Sequence, residues 1–461
     1  MSSRITIIHP SIGKIPGEKY IRAWQMEPLP VAQLAALIPS GYAVSFYDDR
    51  MEEIPYEEPT DLVIMSIETY TAKRAYQIAS EYRRREVPVL MGGFHATLCP
   101  NEVMQYADSV VLGEAENVFE EVLSDFKQGK LKSRYDAPSC QFTKDILPDR
   151  SVYHGKNYLK IALLESGRGC KFRCEFCSIH NFFKGEHHFR KIGSILQEIE
   201  LLRHRNQLLF FVDDNIVANQ EYAMRLFKAL IPMQIKWVGQ ADITIARNPE
   251  LLKLMVQSGC QGVLIGFESL NAENLRKMGK SLLTSEKEIE AAIRKIHRSG
   301  LRIYATFLFG YDHDQPGDFD RVLDLCIRTK IFMVGFNHLT PFPGTQLYER
   351  LAKEGRLRYD KWWLAHDYTY GQIPFESTIP HETIENECRR IRYKFYGLQS
   401  MLFRLTNRTN INSLMMFSAY LTINTMLRKD TLQRKKFPLG DPGNKNPLLQ
   451  VKNSQYSPRG I

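Results

Sequence analysis

Short apolar runs rich in β-branched residues recur through residues 1–355, each followed by a stretch whose apolar positions repeat every three or four residues. The first pattern predicts strands and the second helices with one buried face. Predicted strands are Ile5–His9, Ala43–Tyr47, Asp61–Ser66, Val87–Met91 and Ser109–Leu112, separated by helical patterns at Val31–Ile38, Ala72–Arg84, Asn101–Tyr106 and Val118–Lys127. Alternation of this kind implies an α/β fold with a flavodoxin-type parallel sheet, helices on both faces. It resumes with strands at Ile161–Glu165, Leu208–Val212, Ile235–Gly239, Gly262–Phe267, Arg302–Leu308 and Phe332–Asn337. Helical patterns follow at Ile192–Arg203, Glu221–Leu230, Pro249–Gln257, Glu286–Arg298, Phe319–Lys330 and Thr345–Glu354. Six units, with no room for two more, predict a partial (β/α)6 barrel with polar residues at its carboxyl rim.

These patterns divide the chain into 1–127, a linker at 128–158, the barrel at 159–355, a helical extension at 356–429 and a flexible basic tail at 430–461. The linker is polar, contains Pro138 and Pro148, and has no sustained period. Tyr359 to Phe375 is aromatic-rich and reads as a lid over the barrel or as core. Asn412 to Leu427 is nearly apolar; it is too short to span a bilayer but suits lying on one, covering a lipid-sized pocket, or packing between domains.

Composition changes the picture in three ways. Hydrophobic content of 44% and charged content of 25% are those of a soluble globular protein. The start, Met1-Ser2-Ser3-Arg4, runs straight into a strand, which reads as no leader peptide, and no apolar run reaches a membrane span. Of eight cysteines, three share one loop and five are scattered, Cys99, Cys140, Cys260, Cys326 and Cys388. That usage fits a reducing, cytoplasmic setting, with the scattered five packing as small hydrophobes. The net charge of +9 is lopsided: from Arg389 onward there are 14 Lys/Arg against 2 Asp/Glu, leaving the first 388 residues slightly acidic. The basic end suits peripheral membrane contact; no nucleic-acid partner is expected.

The chemistry centres on Ser166-Gly167-Arg168-Gly169-Cys170-Lys171-Phe172-Arg173-Cys174-Glu175-Phe176-Cys177. Two glycines free the backbone after a buried strand, and three thiols follow at C-x-x-x-C-x-x-C spacing. Thiolates so close on one loop converge on a soft metal centre. A zinc knuckle or three incidental buried thiols is the plain alternative, but structural zinc wants four ligands and no fourth Cys or His stands at finger spacing. The loop resembles the cluster loop of radical S-adenosylmethionine (SAM) enzymes. The resemblance implies a 4Fe-4S cluster on Cys170, Cys174 and Cys177, SAM on the open iron, and Phe176 near the adenine. It places Asp213 and Asp214, Gln240, Glu268 and Ser269, and Phe309 around SAM, with flavodoxin or ferredoxin as electron donor. Asp213 and Asp214 depart from the family's usual Gly-Gly-Glu string and read equally as a helix cap.

Residues 1–127 resemble the cobalamin-binding domain that precedes many such enzymes, through Gly92-Gly93-Phe94-His95-Ala96-Thr97 and Gly113-Glu114-Ala115-Glu116. That implies a cobalamin site at Ser66, Thr69, Gly92, Gly93 and Gly113, with His95 on its rim. The string Ile7-Ile8-His9-Pro10-Ser11-Ile12-Gly13 lacks the Asp of the cobalt-ligating D-x-H-x-x-G motif and misplaces its Gly, so His9 reads as a loop histidine. The domain order is similar to that of hopanoid C-2 methylases. The resemblance implies methyl transfer to an unactivated carbon of a small-molecule or lipid substrate. Oxidative cyclisation without methylation, methylthio transfer to RNA and a non-enzymatic cluster are the rivals. Methylthio transfer would want three more cluster cysteines in the first domain, where only Cys99 stands.

Overall fold

A computed structural model describes residues 3–15, 17, 25–137, 142, 146–203, 207–280, 285–433 and 437–451. Six parallel strands form the first sheet: β1 (Arg4–His9), β2 (Ala43–Asp48), β3 (Leu62–Ser66), β4 (Val89–Gly92), β5 (Ser109–Leu112) and β6 (Arg134–Asp136), in the order β2-β1-β3-β4-β5-β6. Ile5, Ile7, Leu62 and Ile64 bury one face beneath the helices Leu29–Leu37 and Phe119–Lys127. Ile8, Val63 and Met65 bury the other beneath Ala72–Arg84. Strand β6 lies inside the stretch expected to be a linker. It is three residues long with only Tyr135 buried, too short to show a period.

β7 (Ile161–Leu164) opens the second sheet. β8 (Gly167–Gly169) and β9 (His187–Phe189) then form an antiparallel ribbon with the three-cysteine loop between them. β10 (Leu208–Phe211), β11 (Trp237–Gln240), β12 (Cys260–Glu268), β13 (Arg302–Phe309) and β14 (Met333–His338) complete the order β14-β13-β12-β11-β10-β7, parallel throughout and open between β14 and β7. This is the partial six-stranded barrel. Cys260, Cys326 and Cys388 are buried in its core and Cys99 is half-buried; Cys140 lies outside the described residues.

Of the two roles open to the aromatic segment, it takes that of core, here between the domains: Trp362, Trp363 and Tyr368 are buried among the side chains of the first sheet. One expectation needs correction. The described part of the expected flexible tail, residues 437–451, is fastened to the first sheet's domain. Gly440 exchanges backbone hydrogen bonds with Ile12 (2.9 Å) and Lys14 (3.0 Å), and Gln77 brackets Asp441 through two more. Apolar Leu439, only 3% exposed, anchors it despite the polar composition.

Candidate functional site

The carboxyl ends of the barrel strands enclose a cavity of about 280 Å³. Cys170, Cys174, Cys177 and Phe176 border it from the loop; Asp214, Gln240, Asp242, Thr306 and Glu268 border it from the strand ends. The loop's entry is held rigidly. Asp213 accepts hydrogen bonds from Ser166 N (3.0 Å) and Oγ (2.5 Å), while Asp214 accepts from Gly169 N (3.2 Å). Gly169 has φ +86°, and a Cβ there would lie 2.2 Å from the Glu186 carbonyl, so only glycine closes the ribbon. Farther along, Glu175 takes Arg350 Nε at 2.6 Å and the Tyr311 hydroxyl, tying the loop to the barrel's far side.

Electrostatics follow burial. Desolvation pushes all three loop thiols up, Cys174 to about 12, so a metal must displace their protons. Desolvation likewise raises Asp214 to about 6, against the pull of the Gly169 N–H. Among the described residues no three side chains of His, Cys, Asp or Glu are gathered to hold a single metal ion. Cys170, Cys174 and Cys177 nonetheless border one cavity, a set of three soft donors of the kind that holds an iron–sulfur cluster.

Not every expected residue reaches this cavity. Asp213 turns the other way, onto Ser166. Ser269 Oγ accepts from Asn271 N (3.0 Å), and Phe309 stacks on Phe319 at 4.4 Å under the covering helices. One residue was missed. Lys280 borders the cavity with Nζ 2.5 Å from Glu268 Oε1, and Glu268 itself sits at φ +63° where β12 slips register against β13. Burial lowers the Lys280 pKa, but Glu268 and Cys174 more than offset it, so it is raised overall. Residues 281–284, which follow it, lie outside the described residues. A lone lysine after a helix carries no sequence signal.

A second cavity, about 200 Å³, lies at the carboxyl ends of β3, β4 and β5. Ser66, Gly92, Gly93 and Gly113 border it as expected, with Leu34, Leu37 and Phe119 as apolar walls. A Cβ on Gly93 (φ +94°) would meet Ser66 Oγ at 2.8 Å, and one on Gly113 (φ +81°) the Ala137 carbonyl at 3.0 Å. These glycines make a bare backbone cradle beside apolar walls, which fits a large flat ligand with polar edges. Thr69 and His95 do not border it. Thr69 Oγ1 and His95 Nδ1 lie 3.2 Å apart, and the fully buried His95 turns its other nitrogen to Glu102. His9 is not on the cavity wall either; burial and then the charge of Arg50 hold its pKa near 4.

The two cavities share a wall. Cys177 and Ile179 face the first, and Phe182 and Phe183, on the same short helix Ser178–Phe182 and its end, face the second. Phe182 stacks on Phe94 of the first domain at 4.3 Å. Arg168, two residues before Cys170, also lines the second cavity and reaches Glu114 (2.6 Å), Glu116 (2.7 Å) and Glu165 (2.8 Å).

Known families and relatives match this layout. The radical SAM superfamily model matches residues 164–326, a B12 binding domain model residues 24–123, and a domain of unknown function residues 345–419. The bacteriochlorophyllide d C-12(1)-methyltransferase of Chlorobaculum tepidum is 31% identical over 354 residues, covering 74% of this chain and 77% of that protein. The hopanoid C-2 methylase of Rhodopseudomonas palustris is 23% identical over 399 residues, covering 82% of this chain and 73% of that one. Among solved structures, the cobalamin-dependent SAM radical enzyme OxsB shares the fold at a TM-score of 0.67 and 14% identity, covering 93% of this chain and 71% of that one.

Proposed function

This chain belongs to the radical SAM enzymes that carry a B12-binding domain, and from that premise we propose that it methylates an unactivated carbon of a small-molecule or lipid substrate. Radical SAM chemistry joined to a cobalamin-binding domain is the family's combination. In the proposed assignment Cys170, Cys174 and Cys177 hold a 4Fe-4S cluster. Asp214, Gln240, Glu268 and Lys280 meet the polar groups of SAM, and Phe176 packs beside them. Ser66, Gly92, Gly93 and Gly113 cradle cobalamin. When bound, the cluster and SAM supply a carbon radical and the corrinoid supplies the methyl group.

The chain's own residues set the conditions for that chemistry. Asp213 and Asp214 fix the backbone entering the cysteine loop, and Glu175 with Arg350 fixes it halfway, so the three thiols are placed by the barrel. Phe182 and Phe183 give the second cavity an apolar wall on the side of the cysteine loop. The Glu268–Lys280 pair supplies one acceptor group and one cation, suited to hydroxyls and to a carboxylate. The relatives named above act on a bacteriochlorophyllide and a hopanoid, which supports a bulky, largely apolar substrate. A flavodoxin or ferredoxin is the electron donor in this reading.

The shared wall carries the proposal, because it sets the cysteine loop and the glycine cradle on two sides of one helix. Protein purified without oxygen should carry iron, sulfide and a corrinoid absorbance, cleave SAM to 5′-deoxyadenosine, and give a product heavier by one CH₂ unit. Replacing Cys170, Cys174 or Cys177 by Ala should abolish cleavage, whereas Cys260→Ala should preserve it. A product of unchanged carbon count would replace methylation by cyclisation; cleavage surviving in the triple variant would refute the cluster assignment.

A further inference from the structure

The helices Leu398–Leu405 and Leu414–Gln433 settle at the amino ends of β13 and β14. Met401, Leu405, Met416 and Ile423 pack inward around Phe332, and several polar side chains are buried with them. Arg404, fully buried, donates to the carbonyls of Ile331 (3.0 Å), Phe332 (3.1 Å) and Phe395 (2.9 Å) and to Asn424 Oδ1 (2.9 Å). Asn424 and Tyr420 are also fully buried, and the Tyr420 hydroxyl donates to the Met401 carbonyl at 3.0 Å. The outward side sets large apolar residues among Gln399, Ser418, Thr422 and Thr425. Leu398, Leu402 and Leu414 are 67, 65 and 85% exposed, and Phe403, Phe417 and Leu421 are exposed beside them. A helix that faces only water keeps such large apolar side chains on its buried face, and several of them exposed together mark a contact surface.

Charge decides what covers it. From Arg389 to Lys429 the sequence has eight Lys/Arg and no Asp or Glu. Arg390 is neutralised by Asp320 and Glu387, but Arg408 and Lys429 are exposed and Lys330 stands over the Phe403 ring at 5.3 Å. A second copy would bring the same positive charge to this face. A surface of phosphates over hydrocarbon satisfies both halves of it. We propose that this face docks on an anionic lipid bilayer and lies in its interface. No described helix is long and apolar enough to cross a membrane. The docking face is at the amino ends of the barrel strands, opposite the cysteine cavity at their carboxyl ends, so a docked molecule keeps that cavity open. The inference goes beyond the reaction proposed above and stands or falls separately from it.

The test is sedimentation of the full-length holoprotein with vesicles of phosphatidylcholine, alone or mixed with phosphatidylglycerol. Binding is expected to the mixed vesicles, weakening as salt screens the charges. The variant L398Q/L402Q/L414Q/F417Q should lose about tenfold or more in partitioning, with SAM cleavage and melting temperature unchanged. The variant R408E/K429E should lose binding chiefly at low salt. Failure of the native protein to bind, equal binding to neutral vesicles, or native binding by the glutamine variant would overturn the proposal. So would a concentration-dependent dimer that the glutamine variant abolishes, which would assign the face to a second copy.

Discussion

One side chain bears an unusual share of the joint between the two cavities. Arg168 leaves the chain between the two glycines that open the cysteine loop, and its guanidinium collects Glu114 and Glu116 from the first domain and Glu165 from the second. It is 10% exposed and the carboxylates are no more than 16%, so none of the four is solvated well enough to stand alone. Glu165 has further support from Gln33 Nε2 at 3.1 Å. Taking away a buried cation strands its partners, a loss of roughly 3–5 kcal/mol. Arg168→Gln should therefore lower the denaturant midpoint substantially, and Arg168→Lys, which keeps the charge without the guanidinium fork, by less. Equal losses in the two variants would show that shape, not charge, is what Arg168 supplies. In the Gly113-Glu114-Ala115-Glu116 string the glycine borders the second cavity, and both carboxylates are taken up by Arg168.

At the level of strands and turns, much was legible and one thing was not. Runs of apolar residues located the strands of both sheets, because a strand of the first sheet is covered by helices on both faces, and a barrel strand by helices outside and by the barrel's own interior. That same coverage hides which side of a strand looks inward. In β13 Tyr304, Thr306 and Leu308 form the half-buried set and Thr306 borders the cavity; Phe309 shares the parity of Ala305 and Phe307 and goes under the helices. After β10 the alternation sends Asp214 to the cavity and Asp213 to Ser166, a division that a pair of adjacent aspartates cannot announce. Turn glycines were more informative, since a left-handed backbone needs them whatever surrounds it. Gly169→Ala would drive a methyl group into the Glu186 carbonyl and open the β8–β9 ribbon. Iron bound per chain should fall severalfold, while Gly193→Ala, with nothing within 4 Å of its Cβ, should load normally. Iron and sulfide assay of both reconstituted proteins distinguishes a loop-specific effect from a general one.

For the molecule as a whole, the question is what holds two sheets in one arrangement so that their cavities meet. The extension does this by returning to the first domain. Residues 437–451 lie along Ala72–Arg84, where Leu449 exchanges hydrogen bonds with Ser80 Oγ (2.9 Å) and Arg83 (2.7 Å). Deeper in, Glu102 of the first domain accepts from Tyr76 (2.9 Å), His95 (3.1 Å) and Trp363 (2.9 Å), and Lys361 stands 3.0 Å from its other oxygen. Trp363 and Lys361 belong to the segment after the barrel, so a single carboxylate joins the two halves. Burial by itself would raise the pKa of Glu102, but His95, Trp363 and Lys361 together hold it at about 2. A carboxyl depressed on folding stabilises the native state above its unfolded pKa, and that contribution is lost as pH falls through the folded value. The union of the domains should therefore hold its full strength above about pH 4.5 and weaken steadily toward pH 2. Glu102→Gln keeps the shape and discards the charge. Its apoprotein should melt several degrees lower than the native one at pH 6, and the gap should narrow as the native protein is acidified. A gap that stayed constant from pH 6 to pH 3 would mean that the clamp works by packing around Trp363, and that the charge on Glu102 contributes nothing to joining the cavities.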